Sequence, residues 1–270
     1  IVLKPAPDTP WSATVVGRLI AEKTEIPAGV VNIVASSDHA LGEMLAADPR
    51  VDGVTFTGST ATGRRVMEVA SRTVKKVFLE LGGKSANVIL DDADAGAFGA
   101  GILTCTHGGQ GCAITTRMLV PRRRYDEALG ILEAAFRGAK YGDPNDPGVL
   151  QGPQVSKRQQ ERVLDYIEKG KREGARLVVG GGRPAHLPKG FYVEPTLFAD
   201  VDPKATIAQE EIFGPVLSVI PYDDDDDAVR IANDSIYGLS GAVVSKSEER
   251  ALAVARCIRS GTLAINGGMW

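Results

Sequence analysis

Val51-Asp52-Gly53-Val54-Thr55-Phe56-Thr57-Gly58-Ser59-Thr60-Ala61-Thr62-Gly63 passes from an apolar, β-rich run through a turn of small residues into a helix that continues to about Ser71. Another strand, Val74 to Leu79, follows. Upstream the same alternation holds. Ile1-Val2-Leu3 reads as the second half of a buried strand, and the Pro-rich Lys4 to Pro10 is a turn. Val15, Val16, Leu19 and Ile20 recur at helical spacing between Trp11 and about Thr24. A strand at Val30 to Val34 and a helix from His39 to Ala47 complete the series. Parallel neighbours need a crossover that a helix supplies, so this order predicts an α/β fold with a doubly wound parallel sheet. Ligands of such sheets gather at the carboxyl ends of the strands.

After Leu81-Gly82-Gly83-Lys84 the rhythm changes to longer, less regular elements. Strands are expected near Ala86 to Leu90, Arg117 to Val120, Ala175 to Val179 and Gly261 to Asn266, and helices near Ala95 to His107, Asp126 to Arg137, Lys157 to Glu173 and Asp226 to Asp234. This predicts a partial dinucleotide-binding domain over 1–81 and an α/β catalytic domain over 82–270. The chain opens without Met and closes on Gly267-Gly268-Met269-Trp270 without a polar tail, which reads as an internal piece of a longer protein.

Of the 270 residues 43% are hydrophobic and 24% charged, and the net charge is −3. Such a chain can build a core, and it offers no bulk field to attract nucleic acid or an anionic membrane. No apolar run reaches the roughly 18–20 residues of a membrane span, and no signal-peptide order opens the chain. Cys105, Cys112 and Cys257 are odd in number and lack CxxC spacing, which argues against a disulfide framework or a zinc cage. Free thiols, a cytoplasmic location and no metal are the expectation. The acidic run Asp223 to Asp227 leads into a helix, where carboxylates meet the positive end of the helix dipole.

Three stretches carry chemistry. The Gly58-Ser59 turn opens a helix whose free amides suit a dinucleotide pyrophosphate, although an ordinary Ser-capped helix has the same appearance. Glu80 ends an apolar strand just before Gly82-Gly83. If partly buried it is a competent base, and the alternative is a strand-end carboxylate paired with Lys84 or a nearby Arg. Cys112 lies in the small-residue turn Gly108-Gly109-Gln110-Gly111-Cys112-Ala113, open to a carbonyl substrate and to backbone amides. Cys105 and Cys257 read as core thiols.

Lys4-Pro5 with Thr9-Pro10, Phe56-Thr57-Gly58-Ser59, Glu80-Leu81-Gly82-Gly83-Lys84, Gly109-Gln110-Gly111-Cys112 and Glu210-Glu211-Ile212-Phe213-Gly214-Pro215 occur in an order and spacing that resembles the aldehyde dehydrogenase superfamily. The resemblance runs through Asn233 to Leu239 and Gly261 to Asn266. It implies an NAD- or NADP-dependent oxidation of a small-molecule aldehyde by a homo-oligomeric parent, a dimer or tetramer. Cys112 is implied as the nucleophile and Glu80 as the base that activates water. Lys4 is implied as the adenosine-ribose ligand, Ser59 as the pyrophosphate ligand, and Glu211, with Phe213 beside it, as the nicotinamide-ribose ligand. Gly58, Gly63 and Gly82 are implied to shape the cofactor cleft.

The chain also departs from the family's pattern. Pro7 stands where many NAD-preferring members place a Glu, which removes a carboxylate that would repel a 2′-phosphate and leaves NAD and NADP both open. Ser36-Ser37-Asp38 replaces a glycine-rich turn, and the family's Pro-Trp-Asn segment is not among these residues. The expectation is an active parent and a 270-residue piece that is weakly active, inactive or poorly folded. Two other readings remain at this point: a non-catalytic nucleotide-binding remnant, and a Cys-dependent acyl hydrolase using His107 with Cys112.

Overall fold

The computed structural model describes residues 1–267. The closing Gly268, Met269 and Trp270, part of the chain end noted above, lie outside the described residues. The chain divides into two compact units, Ile1–Leu81 and Gly82–Trp270.

The first unit holds β1 (Val2–Leu3), α1 (Pro10–Lys23), β2 (Asn32–Ile33), α2 (Ala40–Ala47), β3 (Gly53–Thr57), α3 (Thr60–Ala70) and β4 (Lys76–Glu80). Its strands pair in parallel as expected, but not in one sheet: β1 pairs with β2, and β3 pairs with β4. The division follows from strand length, since β1 and β2 have two residues each and carry few ladder bonds. β4 alternates with period two. Val77 and Leu79 are half-buried, whereas Lys76, Phe78 and Glu80 are exposed.

The second unit holds β5 (Ser85–Ile89), α4 (Gly96–Gly99), β6 (Thr115–Pro121), α5 (Tyr125–Gly138), α6 (Lys157–Arg172), β7 (Arg176–Val179), β8 (Thr196–Ala199), α7 (Thr206–Gln209), β9 (Val216–Tyr222), α8 (Asp225–Asn233), β10 (Ser240–Val244), α9 (Glu248–Cys257) and β11 (Thr262–Ile265). Seven strands form one sheet in the order β11-β10-β5-β6-β9-β8-β7. All pairs are parallel except β7 with β8. Successive side chains of a strand point to opposite faces, and each face has its own core. Val88, Leu119, Val216 and Ile220 pack with Val163 and Ile167 of α6, Ile231 of α8 and Val254 of α9. Ile89, Met118, Val120, Leu217 and Val219 pack with Phe98, Cys105, Leu132 and Phe136. Helices therefore cover both faces, as in a doubly wound sheet.

Three strands, β8, β9 and β10, fall outside the expected set. They are short, buried apolar runs, which periodicity alone does not separate from other buried segments. The helix expected over Ala95 to His107 is also shorter. Only α4 is α-helical, and a 3₁₀ stretch, Ala100–Gly109, breaks at Thr106, where the backbone becomes extended, and at His107 and Gly108, which are left-handed. Among the described residues no helix is long and apolar enough to cross a membrane.

Candidate functional site

In the first unit, β3 and β4 carry two candidate residues to one strand edge. Thr57 pairs with Glu80, and the Gly58 N–H donates to the Glu80 carbonyl at 3.0 Å. Ser59 then caps α3, its Oγ accepting from the Thr62 N–H at 3.2 Å. Ser, Thr and Ala at the cap and first turn leave the remaining amides unobstructed, the local chemistry of an anion site. Gly58 and Gly63 each face a neighbouring side chain at close range. A Cβ on Gly58 would lie 2.5 Å from the Phe56 ring, and one on Gly63 would lie 2.6 Å from Leu81 Cδ2. Lys4 belongs to the other small sheet, just after β1, where its Nζ donates to the Pro5 carbonyl at 2.9 Å.

Glu80 is exposed. This corrects the conditional expectation of a partly buried carboxylate: strand alternation turns residue 80 to the same open face as Lys76 and Phe78.

In the second unit the paired glycines, the cysteine turn and the Glu210–Pro215 segment come together. Gly82 presents a bare α-carbon to the Glu211 carboxylate, with no room for a Cβ. The Gly83 N–H donates to Glu211 Oε1 at 3.1 Å, and the Gly83 α-carbon packs directly on the Cys112 carbonyl. Burial pushes the Glu211 carboxyl above its ordinary value, and the Gly83 amide opposes that shift.

Cys112 is half-buried in a turn closed by the Ile114 N–H donating to the Gly111 carbonyl at 3.3 Å. His107, Gly108 and Gly109, all at positive φ, bend the chain into that turn. A Cβ at Gly109 would overlap the backbone of Gly214, so main chain meets main chain there. Gln110 anchors the turn further, its Oε1 accepting from the Val155 N–H at 2.9 Å. The other thiols differ. Cys105 is fully buried and its thiol is pushed up to about 12 by burial, as a core residue should be. Cys257 is exposed, contrary to expectation, because the buried stripe of α9 runs through Ala251, Val254 and Ala255 and leaves its last residue outside.

Helix α6 holds the Glu211 segment by its backbone. Gln159 Nε2 donates to the Ile212 and Phe213 carbonyls at 3.2 and 2.8 Å, and Arg162 donates to the Glu211 carbonyl at 2.8 Å. Phe213, at φ 59, sits in a strained left-handed conformation that these bonds help to fix. Neither Gln159 nor Arg162 stood out in the sequence, because each reads as an ordinary polar helix residue.

Lys84 and Arg117 are buried behind the glycine pair. Arg117 donates to the carbonyls of Lys84, Ile231 and Ala232 at 2.8, 3.0 and 2.9 Å. Lys84 Nζ is fully buried without a hydrogen-bond partner among the described residues, and burial, with Arg117 nearby, pulls its amine down to about 7. A charge at the head of an apolar strand, Arg117 before Met118-Leu119-Val120, was the available signal. The acidic run is spoken for: Asp224 caps α8 through the Asp227 N–H, and Asp225 pairs with Arg250. No cluster of metal-binding side chains occurs among the described residues.

The model of the aldehyde dehydrogenase family matches residues 1–270. An aldehyde dehydrogenase of Mycobacterium tuberculosis, solved with NAD+, superposes with a TM-score of 0.95 at 46% identity, covering 100% of this chain and 56% of that one. A cysteine-to-alanine variant of aldehyde dehydrogenase C from Pseudomonas syringae, solved with NAD+ and octanal, superposes with a TM-score of 0.97 at 42% identity, covering 100% and 56%. Curated relatives from Staphylococcus aureus are 45% identical over 271 residues, 98% of this chain and 56% of their own length. The chain thus spans about half the length of the curated relatives it matches.

Proposed function

The chain belongs to the aldehyde dehydrogenase family, and from that premise we propose that the protein carrying it oxidises an aldehyde to a carboxylic acid with NAD or NADP. The observation that carries this reading is the Cys112 turn, in which a half-buried cysteine sets its carbonyl against Gly83 beside the glycine whose open side receives Glu211.

The residues present fit a dinucleotide. The Ser59 cap with the α3 amides would hold the pyrophosphate, Lys4 the adenosine ribose, and Glu211 with Phe213 the nicotinamide ribose. The bare α-carbon of Gly82 lets the Glu211 carboxylate pack close to the glycine pair. Both cofactors suit this reading: the structural neighbours contain NAD+, whereas Pro7 presents no carboxylate to repel a 2′-phosphate. When bound, the cofactor supplies the hydride acceptor.

Cys112 acts first. Its thiolate adds to the aldehyde carbon, and backbone amides, its own included, stabilise the oxyanion that forms. After the C–H hydrogen leaves as hydride, the acyl group remains on sulfur as a thioester. Glu80, exposed in this chain, is the base on the strength of the family resemblance: it takes a proton from water, and the resulting hydroxide displaces the Cys112 thiolate to give the acid. Domain roles follow, with residues 1–81 as part of the dinucleotide-binding domain and 82–270 as the catalytic domain. A cytoplasmic, homo-oligomeric parent belongs to the same reading and rests on the family resemblance alone.

The test uses the full-length protein carrying these residues. Cys112→Ala should abolish NAD(P)H formation from an aldehyde, and Glu80→Gln should permit at most one burst of NAD(P)H per site followed by slow turnover. Undiminished turnover of Cys112→Ala would overturn the assignment.

A further inference from the structure

Behind the Cys112 turn lies a pair of buried hydroxyls. Ser85 opens β5 and Ser240 opens β10, and the two strands pair in parallel with Gly241 opposite Ala86, which sets the preceding serines side by side. Their Oγ atoms are 2.7 Å apart, and both residues are buried. Ser240 Oγ also donates to the Ala113 carbonyl at 2.8 Å.

A hydroxyl has one proton to donate. Because Ser240 commits its proton to Ala113, the short contact between the serines requires Ser85 to donate to Ser240. The direction of the chain is therefore fixed: Ser85 to Ser240 to the Ala113 carbonyl.

That carbonyl belongs to the turn Gly111-Cys112-Ala113-Ile114. The Cys112 carbonyl rests on the Gly83 α-carbon, and the Ala113 carbonyl is tied to Ser240. Two successive peptide planes are thus held by two different contacts, and the first of them starts at the Cys112 α-carbon, so together they fix the chain on the C-terminal side of the residue that carries the sulfur. Without Ser240 the second plane loses its anchor and a half-buried carbonyl loses its donor, which favours opening of the turn.

We propose that Ser240 is a positioning residue for Cys112, acting through the Ala113 carbonyl, and that Ser85 fixes the direction of its hydroxyl. The proposal rests on the reading of Cys112 as the nucleophile. Neither serine touches substrate or cofactor in this role.

The test is the rate at which limiting iodoacetamide labels each cysteine of the chain, followed by peptide mass spectrometry. Buried Cys105 reports global unfolding, and exposed Cys257 reports general reagent reactivity. In Ser240→Ala the turn opens more often, so labelling of Cys112 should rise about fivefold, the weight of one net hydrogen bond. Cys105 should stay protected, Cys257 should not change, and Ser240→Thr, which keeps the hydroxyl, should restore the slow rate. An unchanged Cys112 rate in folded Ser240→Ala overturns the proposal.

If Ser240→Ala exposes Cys105, Ser85→Ala decides, because the bond from Ser240 to Ala113 can still form. A smaller, Cys112-specific rise supports positioning. No rise, or exposure of Cys105 in this variant too, means the serines only hold the fold and sinks the idea. A wild-type Cys112 no more reactive than Cys257 counts instead against the nucleophile reading. The Ser240 comparison, being a ratio of variant to wild type, is judged separately.

Discussion

Gly83 donates its backbone N–H to the carboxylate of Glu211 at 3.1 Å across 128 positions of sequence. The same residue carries the Cys112 carbonyl on its α-carbon. One small residue therefore fixes the distance between the proposed nucleophile's turn and the proposed ribose ligand.

Gly83→Ala tests that coupling. Its Cβ would collide with the Cys112 carbonyl, a backbone atom that cannot rotate away. Overpacking of this kind costs about 1–3 kcal/mol. The urea midpoint should fall accordingly, and iodoacetamide should label Cys112 at an altered rate. A variant as stable as wild type with unchanged Cys112 labelling would show that the turn yields easily.

Glu211→Gln separates binding from folding. The side-chain amide oxygen can still accept from Gly83, but the charge that strengthens hydrogen bonds to a ribose hydroxyl is gone. On the proposed role, affinity for NAD or NADP in a calorimetric titration of the full-length protein should drop about tenfold. The urea midpoint should not fall, since a buried charge is removed. Unaltered cofactor affinity would remove Glu211 from the ligand set.

Arg117→Leu should be among the most damaging substitutions in the second unit. Three buried carbonyls, of Lys84, Ile231 and Ala232, would each lose a charge-assisted donor. Several kcal/mol is the expected cost, at about 1–3 kcal/mol for each buried acceptor left unsatisfied. Denaturant melts of the variant check this, and a loss under about 1 kcal/mol would mean that water replaces the guanidinium.

Lys84 makes stability depend on pH in a particular direction. Its amine titrates near 7 in the folded chain, against 10.5 ordinarily. Between those values the unfolded chain binds more protons than the folded one, so stability rises with pH through the window. The slope is at most on the order of 1.4 kcal/mol per pH unit. Below pH 7 both states are protonated and the full cost of burying the ammonium remains. Lys84→Met should therefore be more stable than wild type at pH 6, with the difference shrinking toward pH 10. Parallel urea melts of wild type and variant at these pH values would rule out this origin if the difference stayed constant.

Local patterns were the part of this molecule that could be read from sequence. Ser59 as a cap, the apolar run of β6 and the burial of Cys105 depend on neighbours a few positions away, where residue type and spacing determine the outcome. Features set by tertiary pairing were not legible. Whether Glu80 is enclosed was open in the sequence, and the pairing decides it: among the described residues β4 pairs with β3 alone and turns its even-numbered residues outward. Cys257 sits on an amphipathic helix, and only the packing of α9 shows that its buried stripe misses the last residue. The contacts of Ser240 with Ala113 and of Gly83 with Glu211 span more than 120 positions, beyond the reach of any periodicity.

The meeting of Gly109 with Gly214 has a practical consequence for redesign. Their contact involves only atoms common to every amino acid, so the scaffold around the thiol does not rely on a particular set of interlocking side chains at that point. Laboratory evolution toward new aldehydes can accordingly diversify side chains that line the entrance while Gly109 stays glycine. A library that randomises Gly109 should yield mostly misfolded clones, because its Cβ would overlap backbone that no side-chain substitution removes.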